Sequence, residues 1–219
     1  MSNQNRHTNS EESANAISHL IGAVLATAGL VFMIVFSNIR GNTWHIVSTS
    51  IYGITLIILY LSSGIAHALK NGKTKEIFFT IDRISIFLLI AGTYTPITLV
   101  VLRGPLGWVL FGIEWAIAIS GTILTFTPLA KPGKRVNYLF ITMYLVMGWL
   151  LLVAIVPVMR TLSIMGITWI LAGAIFYTVG VFFYTKARFR YHHLVWHLLV
   201  IAGSLSHFFA IFFHVIPGR

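Results

Sequence analysis

The chain contains no cysteine. That one absence excludes disulfides, thiolate metal sites, iron–sulfur clusters and cysteine nucleophiles. Charge is nearly as scarce: Asp, Glu, Lys and Arg make up 9% of the 219 residues, against roughly 25% in a soluble domain. Acid is the scarcer sign, with 5 acidic residues against 15 basic ones. The chain also lacks a polar stretch long enough for a separate soluble domain, the longest being residues 1–16. Internal repeats and low-complexity linkers are missing too. No cleaved leader is expected, because the first residues are polar and the apolar window behind them is long enough to span a bilayer. What remains is 57% hydrophobic, with a mean hydropathy of +0.86. Such a composition excludes a soluble globular domain, a disordered tail and a nucleic-acid-binding module, despite a formal net charge of +10. With cysteine gone, the 9 histidines are the main candidates for metal chemistry.

A membrane-spanning helix needs about 20 mostly apolar residues. Seven windows meet that requirement: residues 17–37, 44–69, 77–102, 105–130, 136–159, 161–185 and 191–217. They are continuous rather than alternating in polarity, which argues against barrel strands. The expected fold is an all-α integral membrane protein, a seven-transmembrane-helix bundle over residues 17–217 behind a tail of residues 1–16. Loop charges orient it. Arg6, Lys70, Lys73, Lys75, Lys131, Lys134, Arg135, Lys186, Arg188 and Arg190 fall on one side. Arg40, Arg103, Arg160 and Arg219 fall on the other. The positive-inside rule then predicts a cytoplasmic N-terminus and a C-terminus outside. Anionic lipid head groups are the natural partners of this charge, and no nucleic acid is needed to explain it.

Ionisable residues inside a membrane are costly and mark candidate sites. His67 lies three residues before Lys70, roughly 5 Å in from the basic loop at the end of the second helix. Asp82 lies about 9 Å in on the third helix. His193 and His197 lie roughly 5 and 10 Å in on the seventh. Ser63 is one turn from His67, and His19 is near the start of the first helix. Polar groups from four helices therefore share one depth near one face. His193 and His197, at i and i+4, project from one face of their helix. Neutral imidazole suits zinc, and three protein ligands plus a water make a catalytic zinc site. Zn²⁺ would be held by His67, His193 and His197, with the bound water made nucleophilic near neutral pH. Asp82 can hold that water and act as general base, and Ser63 can hydrogen-bond the carboxylate or the water. Taken alone, an H-x-x-x-H pair is equally a pair of interfacial histidines.

Other polar residues read more blandly. His45 and His214 lie at helix ends and are expected at the interface, and His192 at a boundary. His207 is about 15 Å deeper than His197, and is expected to form an interhelical hydrogen bond. Glu114 is expected to be neutral and hydrogen-bonded within the bundle. Arg83 is expected to snorkel toward phosphates. The Gly92-Thr93-Tyr94-Thr95-Pro96 run predicts a kink with satisfied hydroxyls, shaping a cavity below the metal.

Together these residues resemble the progestin and adipoQ receptor family in its bacterial haemolysin III branch. Glu12-x-x-Asn15-x-x-x-His19 followed by Gly22 is similar to the family's first motif. Ser63-x-x-x-His67, completed by Asp82, is similar to the second, and His193-x-x-Trp196-His197 to the third. Ile90 to Pro96 and Met147-Gly148-Trp149 also resemble haemolysin III segments. Arg83 departs from the pattern, since many relatives have histidine there. The resemblance implies a seven-helix bundle with a cytoplasmic N-terminus and one zinc held by His67, His193 and His197. It further implies that Asp82 contacts the zinc through water and that Ser63 supports the site. The family's likeness to ceramidases implies a zinc-dependent hydrolase of lipid amides or esters, acting in membrane homeostasis, with membrane lipids as substrate or ligand. A non-catalytic lipid regulator or receptor with a structural zinc is the alternative, and a cytolytic pore a second one.

Overall fold

The computed structural model describes residues 8–127, 134–186 and 189–217. Arg6, Lys131, Arg188 and Arg219, which enter the loop-charge comparison, lie outside the described residues. The described residues are helical almost throughout and form no strand. In chain order the helices are α1 (Asn9–Arg40), α2 (Thr43–Ala68), α3 (Lys73–Pro96), α4 (Pro105–Thr125), α5 (Lys134–Trp149), α6 (Ile155–Thr161), α7 (Ile164–Thr185) and α8 (His192–Ala210). Seven membrane spans result, because α5 and α6 form one span joined by a 3₁₀ turn, Leu150–Ala154. Helices are what a bilayer permits here, since every backbone N–H and C=O is satisfied within its own segment.

Local chemistry sets the helix ends. α1 starts at Asn9, eight residues before the first apolar window. Its capping box pairs the Thr8 side chain with the Glu11 backbone, while the Glu11 side chain returns to the Thr8 amide. Such a box satisfies two otherwise orphaned donors. The polar residues read as the end of a tail are thus the first two turns of a helix. Asn42 caps α2 through Trp44 N at 2.9 Å. Its own amide donates to His45 Nδ1 at 3.2 Å. His45, at this helix end, is buried as part of that cap. Ser163 caps α7, accepting from Gly166 N at 3.2 Å, and also bonds His214 Nδ1 at 2.9 Å.

The hydroxyls of the Thr93–Pro96 run are satisfied, as the sequence predicts. The Thr93 and Thr95 hydroxyls each donate to the carbonyl four residues back, at 2.8 Å. α3 then widens into a π turn, Ile97–Val101, directly after Pro96, which lacks the amide donor an α-helix needs there. Tyr94 secures the neighbouring break between α5 and α6. Its hydroxyl donates to Gly148 O at 3.1 Å and accepts from Leu151 N at 2.7 Å.

α1 packs on α2, α2 on α3, α3 on α4, and α7 on α8, while α1 also meets α8. α2 and α3 are the most buried spans. Close approach is made by small residues against large ones: any Cβ on Gly22 would meet the Tyr60 ring, and one on Gly121 the Phe87 ring. Without a hydrophobic drive between helices in lipid, such close packing and interhelical hydrogen bonds hold the bundle. Ser204 is a hub of the second kind. Its hydroxyl meets Tyr60 at 2.9 Å and Tyr177 at 2.7 Å, and its carbonyl accepts from Tyr52 at 3.2 Å. It thereby ties α2, α7 and α8 together.

Candidate metal centre

The end of the bundle that carries the start of α1, the end of α2 and the start of α8 gathers three histidines. His67, His193 and His197 each offer a ring nitrogen within 4.8 Å of the others. Their ring centroids are 4.7 to 5.1 Å apart. His67 and His197 are buried and His193 is half-buried. One turn of α8 places His193 and His197 on the same side, as their spacing requires. The turn that launches α8 is strained: Tyr191 has φ +63°, a left-handed conformation that costs free energy for a side-chain-bearing residue. The Glu11 carboxylate takes the Tyr191 amide at 2.9 Å and holds that turn.

The second nitrogen of two of these rings is already engaged. Glu12 Oε2 accepts from His67 Nδ1 at 3.2 Å. The same oxygen takes Lys75 Nζ at 2.7 Å, and that ammonium also donates to Leu69 O at 3.1 Å. On His197, Nδ1 lies 3.2 Å from both Asn15 O and Ser18 Oγ. These contacts leave Nε2 of each ring for a ligand, and His67 Nε2 is buried with no hydrogen-bond partner. Histidines that ligate a metal engage their other nitrogen in this way, which fixes both tautomer and ring direction. The three histidines can therefore hold a metal ion.

Asp82 lies outside the three-histidine group, on α3. Its carboxylate lies beside the Ser63 hydroxyl of α2, and its carbonyl accepts from Ser85 Oγ at 2.6 Å. Ser63 is buried one turn from His67. Tyr184 of α7 flanks the other side, with its ring 5.9 Å from that of His193. The Arg83 guanidinium lies 5.8 Å from the centre of the Phe140 ring.

Four residues near the site carried no assigned role in the sequence reading. Glu12, Asn15 and Ser18 hold the outer nitrogens of the histidine rings. His19 stacks on His197 with ring centroids 3.5 Å apart and planes 14° from parallel. Glu12, Asn15 and His19 are signalled by the first motif, whose residues fall on one face of α1 at helical spacing, and His19 also by its depth; Ser18 has no signal of its own. The remaining singled-out residues lie apart from the cluster. His207 donates Nε2–H to Ile170 O at 3.1 Å, the interhelical bond expected of it. It also lines a deeper cavity of about 40 Å³ with Thr93, Tyr94, Ile97 and Trp149. Glu114 does not meet its expectation: it is fully buried, and neither carboxyl oxygen has a hydrogen-bond partner among the described residues. The stripe of α4 that faces α3 consists otherwise of Gly107, Leu110, Ala118 and Gly121, none of which has a side chain that can hydrogen-bond.

Comparison with known proteins places this arrangement in a family. Residues 7–208 match the family described as "Haemolysin-III related". "Hemolysin-3" of Bacillus cereus is 40% identical over 207 residues, covering 94% of this chain and 93% of the relative. "Hemolysin-3 homolog" of Bacillus subtilis (strain 168) is 41% identical over 206 residues, covering 94% and 95%. "Monocyte to macrophage differentiation factor" of Homo sapiens is 28% identical over 207 residues, covering 92% and 83%. The chain belongs to the haemolysin III-related family, the bacterial branch of the progestin and adipoQ receptor family, and is a multi-pass protein of the bacterial cell membrane.

Proposed function

We propose that this haemolysin III-related protein is a zinc-dependent hydrolase of lipid amides or esters, with its site near the cytoplasmic face. One observation carries the reading. Three histidines from α2 and α8 bring a ring nitrogen each within 4.8 Å of one another, and the Asp82 carboxylate, beside Ser63, stands near them without joining the group. An all-nitrogen set of three suits zinc and leaves a coordination position open. Donors in a tetrahedral site with bonds of about 2.1 Å are roughly 3.4 Å apart, so small ring movements would close a set already within 4.8 Å.

His67, His193 and His197 would hold the ion. Zinc supplies Lewis acidity toward a carbonyl and toward water. The chain's own groups do the rest. Asp82 accepts the proton of the attacking water and returns it to the leaving group, while Ser63 keeps the carboxylate turned inward. Glu12, with Lys75 behind it, fixes His67, and Asn15 and Ser18 fix His197. Approach is from the α7–α8 side, because His193 is the most exposed of the three rings and Tyr184 lines that flank. The loop charges support a cytoplasmic N-terminus. A reporter fused after Arg219 is therefore expected to work only if it functions outside the cytoplasm, and cytoplasmic reporting would invert the orientation.

A second reading has its own support. Within the bundle α1 packs on both α2 and α8, and a metal on His67, His193 and His197 would clip α2 to α8 directly. Such a clip would serve a non-catalytic regulator of membrane lipids. Turnover separates the two. Purified protein loaded with zinc is incubated with long-chain lipid amides and esters. Metal-dependent release of fatty acid is expected, and zinc-loaded protein inert across the panel would leave the clip.

A further inference from the structure

The end of the bundle opposite the histidines carries arginines but no acid of its own. Glu11, Glu12, Glu76 and Asp82 belong to the histidine end, and Glu114 is sealed inside α4. Arg103 stands in the short connection between the π turn and α4, and no carboxylate pairs with it among the described residues. Its guanidinium carbon lies 5.1 Å from the centre of the Trp44 ring. Trp44 in turn meets Trp108 edge-on at 5.7 Å. With Thr98, Leu99 and Gly104 these three residues line a shallow cleft.

The backbone is shaped to make this cleft. Gly104 has φ +142°, which turns the chain at once into α4, whose first residue is Pro105. Gly107 then lets α4 approach so closely that any Cβ there would collide with the Thr98 carbonyl. The amino end of α4, the positive end of its dipole, opens beside Arg103.

Three features select a ligand. A guanidinium with no carboxylate selects an anion, and its planar fork matches phosphate oxygens. Tryptophan pairs settle where the bilayer meets water, at the level of the head groups. Leu106, Trp108 and Val109 beside the cleft are 40%, 51% and 57% exposed, so a ligand with apolar tails finds a surface to lie along. We propose that Arg103, Trp44 and Trp108 form a binding site for the phosphodiester head group of a phospholipid, in the leaflet opposite the histidine cluster. Arg103 holds the phosphate, the two indoles flank it, and the acyl chains run down the exposed face of α4. The site is independent of any metal at the other end.

The test is native mass spectrometry of the full chain in detergent micelles titrated with phosphatidylglycerol, diacylglycerol of the same chain lengths, or inorganic phosphate. Wild type is expected to retain phosphatidylglycerol at concentrations where diacylglycerol leaves no adduct, with inorganic phosphate unable to displace it. Arg103→Ala is expected to weaken the tightest binding by about tenfold, and Trp108→Leu to weaken it less. Lys186→Ala removes the same charge from the histidine end and is expected to leave that tightest binding unchanged. Equal retention by wild type and a normally melting Arg103→Ala would overturn the site, as would equal retention of diacylglycerol or displacement by inorganic phosphate. Should Arg103→Ala fail to fold, Arg103→Lys and Trp108→Leu carry the test, and wild-type retention by both would overturn it.

Discussion

The histidine cluster and Glu114 both bury ionisable side chains inside the bundle, and they are supported in opposite ways. At the cluster, the outer ring nitrogens of two histidines have partners, and one ring nitrogen from each of the three lies within 4.8 Å of the others. At Glu114, neither oxygen has a hydrogen-bond partner among the described residues, and the α4 residues along the same stripe are glycine, alanine and leucine. Burying an unpaired polar group costs free energy in either place. The cost is recovered at the cluster if a ligand arrives, because several lone pairs converge on one point. Among the described residues no second ionisable group of the ligating kind joins Glu114. Convergence, rather than burial alone, distinguishes a site from a solitary polar residue.

The largest effect that would break this comparison comes from the ligands themselves. His193→Ala and His67→Ala should each remove nearly all bound metal, since two imidazoles are left where structural and catalytic zinc sites use at least three protein ligands. Elemental analysis of the purified variants checks this, and a variant that keeps its metal would remove that histidine from the set. Asp82→Asn comes next. It keeps size and hydrogen-bonding reach but loses basicity. Metal should stay near stoichiometric, while hydrolysis of a long-chain lipid amide falls by roughly 10²- to 10⁴-fold. Equal turnover per bound zinc would make Asp82 a structural support.

Glu12→Gln is expected to act more gently. It loses the charge that orients His67 and neutralises Lys75, and should weaken metal affinity by about 10- to 100-fold without abolishing saturation. Competition against a chromophoric chelator measures the change, and unaltered affinity would reduce Glu12 to a helix contact. Glu114→Gln should do least. With no hydrogen-bond partner to lose among the described residues, the variant should bind metal as wild type and shift stability by no more than about 1 kcal/mol. A fall in metal content on Glu114→Gln would erase the contrast between the two regions.

Much of the architecture was legible because it rests on local composition. Seven continuous apolar runs became seven spans, and Pro96 marked the place where α3 changes its winding. The 3₁₀ turn at Leu150–Ala154 left no trace, since its residues are as apolar as the helix around it. The three histidines could be placed at one depth from helix rise alone. The supports of their rings could not, because the Glu12–His67 and Asn15–His197 bonds join residues 55 and 182 positions apart. The local cap at His45 is equally invisible in composition, since it rests on a bond from the Asn42 amide. Glu114 is expected to find a hydrogen bond because buried carboxyls usually do, and the sequence does not reveal which groups of the neighbouring helices face it.

The claim on which the account turns is that His67, His193 and His197 form one metal centre. Elemental analysis of wild-type protein, purified from the membrane without chelators, tests it most directly. About one zinc per chain is predicted from a three-histidine set without thiolates, and protein that carries no metal under those conditions would contradict it.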